Sequence, residues 1–379
     1  MQREAVVLSL LLIATTTALD IPQEDVLLLT QVVIRHADRA PQWADSSPEA
    51  EAVFFRGLGH LSDTGLENAY AQGLHFKQRY VDTGFVDARM IPSQVAFESS
   101  PVPRCMMSAY SFGAALFNKT VKDFARVPPV SISPMLHPRC FCEEDWAPIE
   151  EKHGLPFGSM HEGVYTASLK DSIACKDYSV GMIEALVAEA ENPKITLNPS
   201  QKACAEEGKR HNYRFLQTIA GAGEEHSEVR LRRNVGQLTK KLLDRMAKVI
   251  SCGSTCDLPR MRVYYSHDVL LLALADVFGV LDGYNKITPN FSSAIVLELH
   301  SSRFGPYVKI LLKDGEKSQF KVIGGCDSSR NCTLDAVIHA AEKYAIEDPG
   351  PCTYANSTFQ LGLHGLFVSM LLMMLGWQL

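Results

Sequence analysis

The sequence predicts an α/β protein with a central mixed sheet flanked by helices and a smaller, mainly helical cap. Three observations predict it. An apolar run over 26–34 and strand-like segments over 94–97 and 261–265 each hand over to a polar cluster and then to a helical pattern, the punctuation of strand–loop–helix units in an α/β sheet. The 379 residues are 46% hydrophobic, enough for a full core and two domains. The intervening stretch 134–248 mixes Pro, Gly and charge with helical patterns at 181–191 and 229–250 and has no fixed-period repeat, which reads as an inserted cap. The expected domains are therefore 19–130 with 251–353 as the α/β part and 131–250 as the cap.

In chain order, Arg3 precedes an apolar run over 6–14 and the small residues Thr15, Thr16, Thr17 and Ala18, the pattern of a secretory signal cut near Ala18 (1–18). The strand over 26–34 ends in Arg35-His36-Ala37-Asp38-Arg39-Ala40-Pro41, and a helix is expected over 61–80. The segment over 94–97 leads through Glu98-Ser99-Ser100-Pro101-Val102-Pro103-Arg104 into a helix at 105–116, and 127–130 closes the first part of the sheet. After the cap, the strand over 261–265 precedes Ser266-His267-Asp268 and a helix at 269–280. The segments 293–299 and 307–312 read as antiparallel edge strands, with Asp314-Gly315 as a turn.

One imidazole between two guanidiniums at a strand end suits a nucleophile working on phosphate. Phosphate monoesters are dianions near neutral pH, and arginine offers planar, permanently charged forks that match phosphate oxygens. A neutral imidazole can attack phosphorus and later release the phosphoryl group to water, splitting one hard hydrolysis into two easier steps. His267 and Asp268 lie at a second strand end, and ligands of α/β sheets bind beyond the carboxyl ends of the strands. Arg104 adds a further cation, and the helix after Asp268 offers an anion its N-terminus.

These residues resemble the histidine acid phosphatases, in the branch that includes the prostatic and lysosomal enzymes, whose signature reads Arg-His-Gly-x-Arg-x-Pro with a His-Asp pair far downstream. Arg35, His36, Arg39 and Pro41 match the first motif, His267 and Asp268 the second, and Leu61-Ser62-Asp63-Thr64-Gly65 resembles the Leu-Thr-x-x-Gly segment. The likeness runs from about residue 26 to about residue 352. It implies a phosphoglycerate mutase-like sheet, a phosphate monoester as small-molecule substrate, no cofactor, His36 as phosphorylated nucleophile, Asp268 as general acid, and Arg35, Arg39, Arg104 and His267 as phosphate-binding groups. A carboxyl that keeps its proton beside a dianion supplies the acid. Two positions depart from the pattern: Ala37 replaces the glycine after the histidine, and Pro101 and Pro103 replace acidic residues before Arg104. The two prolines bear on the aim of Arg104 more than on its identity.

Composition sets the compartment. A net charge of −6 without a basic stripe argues against a nucleic-acid partner, and the run 230–233 reads as a solvated helix face. Ten cysteines without paired Cys-x-x-Cys knuckles point to disulfides rather than metal ligands. The resemblance pairs Cys326 with Cys332, and Cys352 with Cys140 or Cys142. Cys175, Cys204, Cys252 and Cys256 leave room for two further bridges, with Cys105 free. Acceptor motifs for N-glycosylation stand at Asn118, Asn290, Asn331 and Asn356, whereas proline disqualifies Asn198. The apolar terminus 358–379 reads as a glycolipid-anchor signal, a C-terminal span, or the tail of a soluble product. The expected location is the secretory pathway and the extracellular surface, or else a secreted or lysosomal product, and the resemblance adds a homodimer. Of the remaining histidines, scattered through helix and cap, His137 is singled out because it lies just before the cap.

The sequence leaves alternatives open. The same fold fits a phosphatase specialised for inositol phosphates or lysophospholipids, or a non-catalytic surface binding protein; the presence of His36, Asp268, Arg35 and Arg39 together weighs against the latter.

Overall fold

Residues 26–35 are mainly apolar because the strand they form is covered on both faces from Leu29 onward, the usual state of a parallel sheet. The computed structural model describes residues 25–42, 48–117, 128–138, 149, 172–253, 256–327 and 329–350. The signal-like segment 1–18, the terminus 358–379, Cys140, Cys142, Cys352, Asn118 and Asn356 lie outside the described residues.

The strands are β1 (Val26–Arg35), β2 (Val95–Ser99), β3 (Val130–Ile132), β4 (Met261–Ser266), β5 (Ala294–Ser302), β6 (Gly305–Asp314), β7 (Lys317–Lys321) and β8 (Cys332–Thr333). The sheet runs β3-β2-β4-β1-β5-β6-β7, with β8 paired to β6. The β3-β2-β4-β1 half is parallel and the β1-β5-β6-β7 half antiparallel, which is the expected mixed sheet. One expectation needs correction. β5 and β6 are not edge strands: β5 lies between β1 and β6, and β6 between β5 and β7. Their mainly apolar runs reflect burial on both faces, and the edge on that side falls to the polar β7. Gly315, at φ +56°, turns β6 into β7 next to the paired Asp314 and Lys317, as the Asp-Gly signal suggests.

Besides a single turn at Pro48–Glu51, the helices described are α1 (Asp63–Phe76), α2 (Pro103–Leu116), α3 (Val180–Ala190), α4 (Pro199–Ala220), α5 (Glu228–Cys252), α6 (Asp268–Val277) and α7 (Leu334–Ala341). Side chains alternate across the sheet. Leu29, Val33, Tyr264, Ile295 and Leu297 join a core with α4, α5 and α6, while Val32, Ile34, Val263, Tyr265 and Val296 join one with α1 and α2. The amide of buried Gln31 donates to the Leu242 carbonyl at 2.9 Å, fastening α5 to β1. Helix α4 is an addition to the expected elements; Asn198 and Gln201 form its capping box and Gly221 closes it in a left-handed conformation. The run 230–233 is not uniformly solvated: Arg230 is buried and donates to the Glu225 carbonyl at 2.7 Å, closing the turn before α5.

Cysteines pair as Cys175–Cys204, Cys252–Cys256 and Cys326–Cys332 among the described residues, and Cys105 is free and buried. No helix among the described residues is long and apolar enough to cross a membrane.

Helices α1 and α2, both leading away from site-bearing loops, touch at Gly73. A Cβ there would overlap the Phe112 carbonyl oxygen and stand 2.7 Å from the Ala115 methyl. Gly73→Ala should therefore destabilise the protein by about 1–3 kcal/mol through overpacking, against the roughly 1 kcal/mol that alanine gains in an isolated helix. A lowered urea midpoint checks this; a raised one contradicts the close contact.

Candidate active site

Sheet register brings the three motif-bearing strand ends together. Arg35 pairs with Ser266 and Ser99 with Tyr265. Beyond the ladder, His36 N–H donates to the Ser266 carbonyl at 3.0 Å and Ser100 N–H to the Tyr265 carbonyl at 2.9 Å. His36, His267 and Ser100 thus emerge side by side at the carboxyl end of the parallel strands.

The loop after β1 is fixed by a second loop. Ala40 N–H donates to the His60 carbonyl (2.9 Å), Gly59 N–H to Pro41 (2.7 Å) and Ser62 N–H to Asp38 (3.0 Å), with Arg39 bridged to Leu61. The first turn of α1 then presses on Asp38. At Gly65 a Cβ would collide with the Asp38 carbonyl oxygen and lie 2.9 Å from Leu61 Cδ1, which accounts physically for the glycine of the Leu-Ser-Asp-Thr-Gly segment. Ala37 is fully buried with Leu61 and Ala69, so its methyl adds packing. Ser108 accepts from the Ala37 N–H (3.0 Å) and donates to the Arg104 carbonyl (2.8 Å), tying this loop to α2.

The six predicted residues come together. His36 is 2% exposed, and its Nδ1 lies 2.9 Å from the Ala37 carbonyl. Because that oxygen only accepts, Nδ1 carries the proton and Nε2 keeps the free lone pair. Arg35 pairs through Nη2 with Asp268 Oδ2 at 2.9 Å and donates through Nη1 to the Pro289 carbonyl. Asp268 Oδ1 accepts from Val269 N–H at 2.9 Å in the first turn of α6. His267 Nε2 is 2.9 Å from Ser100 Oγ and 3.6 Å from Cys105 Sγ, and its ring meets those of His36 and His137 edge-on at 5.5 and 5.4 Å. Arg104 reaches the Gly59 carbonyl at 3.4 Å. Pro103 sits in the first turn of α2, where its fixed φ suits a helix start, so Arg104 is aimed by a helix rather than by the acidic pattern it lacks.

Electrostatics follow from this crowding. Burial, then Arg104, Arg35, His267 and Arg39, holds the His36 imidazole well below its usual range and therefore neutral. Burial, Arg104 and His137 do the same to His267. Arg104 is pushed down to about 10 by burial and by Arg39. The Nε atoms of Arg35, Arg39 and Arg104 are buried and have no hydrogen-bond partner among the described residues, leaving donors suited to an oxyanion.

Sequence reasoning missed other participants. Phe291 lies under Arg35, 4.2 Å from ring centroid to guanidinium carbon, and 5.7 Å from the His36 ring. It belongs to the acceptor motif at Asn290, which is half-buried, whereas Asn331 is exposed. Glu184 of α3 pairs with Arg39 at 3.0 Å and accepts from Gln42 N–H at 2.9 Å. No local pattern marks either residue. Ser100 is visible beside its strand, but nothing in the sequence assigns it a partner.

A sequence profile for the histidine phosphatase superfamily, branch 2, matches residues 26–179. A Caenorhabditis elegans protein provisionally named acid phosphatase 1 is 26% identical, covering 88% of this chain and 84% of its own. Mouse prostatic acid phosphatase is 31% identical over 36% of this chain and 32% of its own. The chain is thus similar to branch 2 of the histidine phosphatase superfamily over 26–179, and to proteins named acid phosphatase over most of its length. The fold is similar to that of Hafnia alvei phytase, with TM-score 0.58 at 14% identity over 85% of this chain and 97% of that one.

In the loop after β1, Asp38 is a buried carboxyl pushed up to about 6 by desolvation, opposed by the 2.9 Å hydrogen bond from Asn68. A folded value above the unfolded one means that the native state binds the proton more tightly. The fold is therefore penalised above pH 6, and the penalty disappears as pH falls below the unfolded value near 3.8. Asp38→Asn should raise stability at pH 7 by about 2–3 kcal/mol and leave it nearly unchanged at pH 4, read as urea midpoints at the two pH values. An equal effect at both would contradict the assignment.

Proposed function

We propose that this chain is a histidine phosphatase, an exported acid phosphatase that hydrolyses phosphate monoesters through a phosphohistidine. The observation carrying this reading is a neutral, buried His36 with its Nε2 lone pair free, surrounded by guanidiniums with unused donors and adjoined by Asp268.

Arg35, Arg39, Arg104 and His267 hold the phosphate, Nε2 of His36 attacks phosphorus, and the bond to the alcohol oxygen breaks. Asp268 delivers a proton to that oxygen, so the leaving group departs as an alcohol. It then takes a proton from water as the water attacks the phosphohistidine, returning His36 neutral with orthophosphate released. Asp268 is paired to Arg35 in the ligand-free protein, and a phosphate on Arg35 competes for that fork. The cations stabilise charge on the transferring group.

Disulfides among the described residues support passage through an oxidising compartment. The reading includes cleavage near Ala18, membrane attachment through 358–379 and a homodimer.

Phosphate release from an aryl phosphate across pH 4 to 8 tests the assignment. Wild type should be most active at the acid end, where protons are available for the leaving oxygen while His36 stays neutral. His36→Ala should abolish turnover, and Asp268→Asn should slow it about 10²–10⁴-fold. Turnover that survives in His36→Ala rules out the phosphohistidine.

A further inference from the structure

Glu184 stands against Arg39, one of the groups assigned to phosphate, and also accepts from the backbone of Gln42. Its side chain is only 15% exposed, so the carboxylate is a fixed neighbour of Arg39 and Gln42. Gln42 in turn lines a cavity with Leu58, Gly59, His60, Val102, Pro103 and Arg104. Among these described residues Arg104 is the one arginine or lysine, and it already faces the phosphate position. Leu58, Val102 and Pro103 make the rest of the wall largely apolar.

We propose that Glu184 is a specificity-determining residue that admits a single phosphate on an uncharged, preferably apolar, leaving group and excludes substrates carrying a second phosphate beside the scissile one. The inference rests on the monoesterase reading above and specifies its substrate class. Charge balance explains why. With Asp268 carrying the proton it delivers, the guanidinium charges of Arg35, Arg39 and Arg104 are matched by Glu184 and one phosphate dianion. Asp38, pushed up to about 6, is neutral in acid. No further arginine or lysine among the described lining residues is left for a second phosphate. That group would instead meet the Glu184 carboxylate in a partly desolvated setting where like-charge repulsion is strong. A neutral aryl or alkyl group meets Leu58, Val102 and Pro103 instead.

The test compares full-length wild type, Glu184→Gln and Glu184→Lys, measuring kcat/KM for 1-naphthyl phosphate and inositol hexakisphosphate, and dissociation constants for orthophosphate and inositol hexakisphosphate by calorimetry. Glutamine keeps an acceptor for Arg39 and for Gln42 N–H while removing the charge. The wild type should favour the naphthyl ester. Glu184→Gln should shift the ratio toward the hexakisphosphate about tenfold, through KM and binding, and Glu184→Lys should shift it further. If both variants change the two ligands by one common factor, Glu184 merely positions Arg39 and the proposal is overturned. It is overturned equally if wild type already binds the hexakisphosphate as tightly as orthophosphate. The calorimetric arm needs no turnover, so failure of the hydrolytic reading appears as inactivity toward the naphthyl ester while the binding ratios still decide the role of Glu184.

Discussion

Gathering three guanidiniums around one buried imidazole is unfavourable in itself, and the surrounding structure is organised to hold that arrangement. Burial and like charge together keep His36 neutral. Opposing carboxylates limit the repulsion: Asp268 on Arg35 and Glu184 on Arg39. Phe291 offers its ring face to Arg35, a contact that tolerates a cation where few oxygens are present. Arg104 sits in the first turn of α2, where the helix dipole disfavours a cation. The electrostatic repulsion within the free site is what a bound phosphate would relieve in the proposed function.

Such an arrangement demands rigid supports. The parallel register of β2, β4 and β1 sets His36, His267 and Ser100 side by side through backbone hydrogen bonds alone. The loop carrying Arg39 is laced to residues 59–62, and Gly65 lets α1 close on it. The antiparallel half of the sheet adds no described member of the cation cluster. It contributes the interior strands β5 and β6, preceded by the loop bearing Pro289 and Phe291, which hold Arg35 from below.

The fold is legible in the sequence where strand ends are marked by polar clusters after apolar runs: β1, β2, β4 and their helices fall close to the expected positions, because burial on both faces leaves a continuous apolar signature. The same signature misleads for β5 and β6, since an apolar run reports burial and not the place of a strand in the sheet. Helix α4 escapes because its polar, charged face masks the periodicity, though its capping box is readable. Of the site, His36, Arg35, Arg39, Arg104, His267 and Asp268 are accessible because chemistry restricts the residue types. Glu184 and Phe291 are not: they reach the site from α3 and from a loop before β5, at a sequence separation of 145 between Arg39 and Glu184 and across the sheet for Phe291. Only tertiary structure brings them in.

The central claim is that the cation cluster holds His36 neutral with its proton on Nδ1. Imidazole nitrogen NMR across pH 4 to 8 on the ligand-free protein tests it most directly. The account predicts a neutral His36 with the hydrogen on Nδ1 throughout most of that range, titrating well below 6.5, and a midpoint that rises when Arg104 is replaced by glutamine. A His36 that titrates near 6.5, or carries its proton on Nε2, would contradict it.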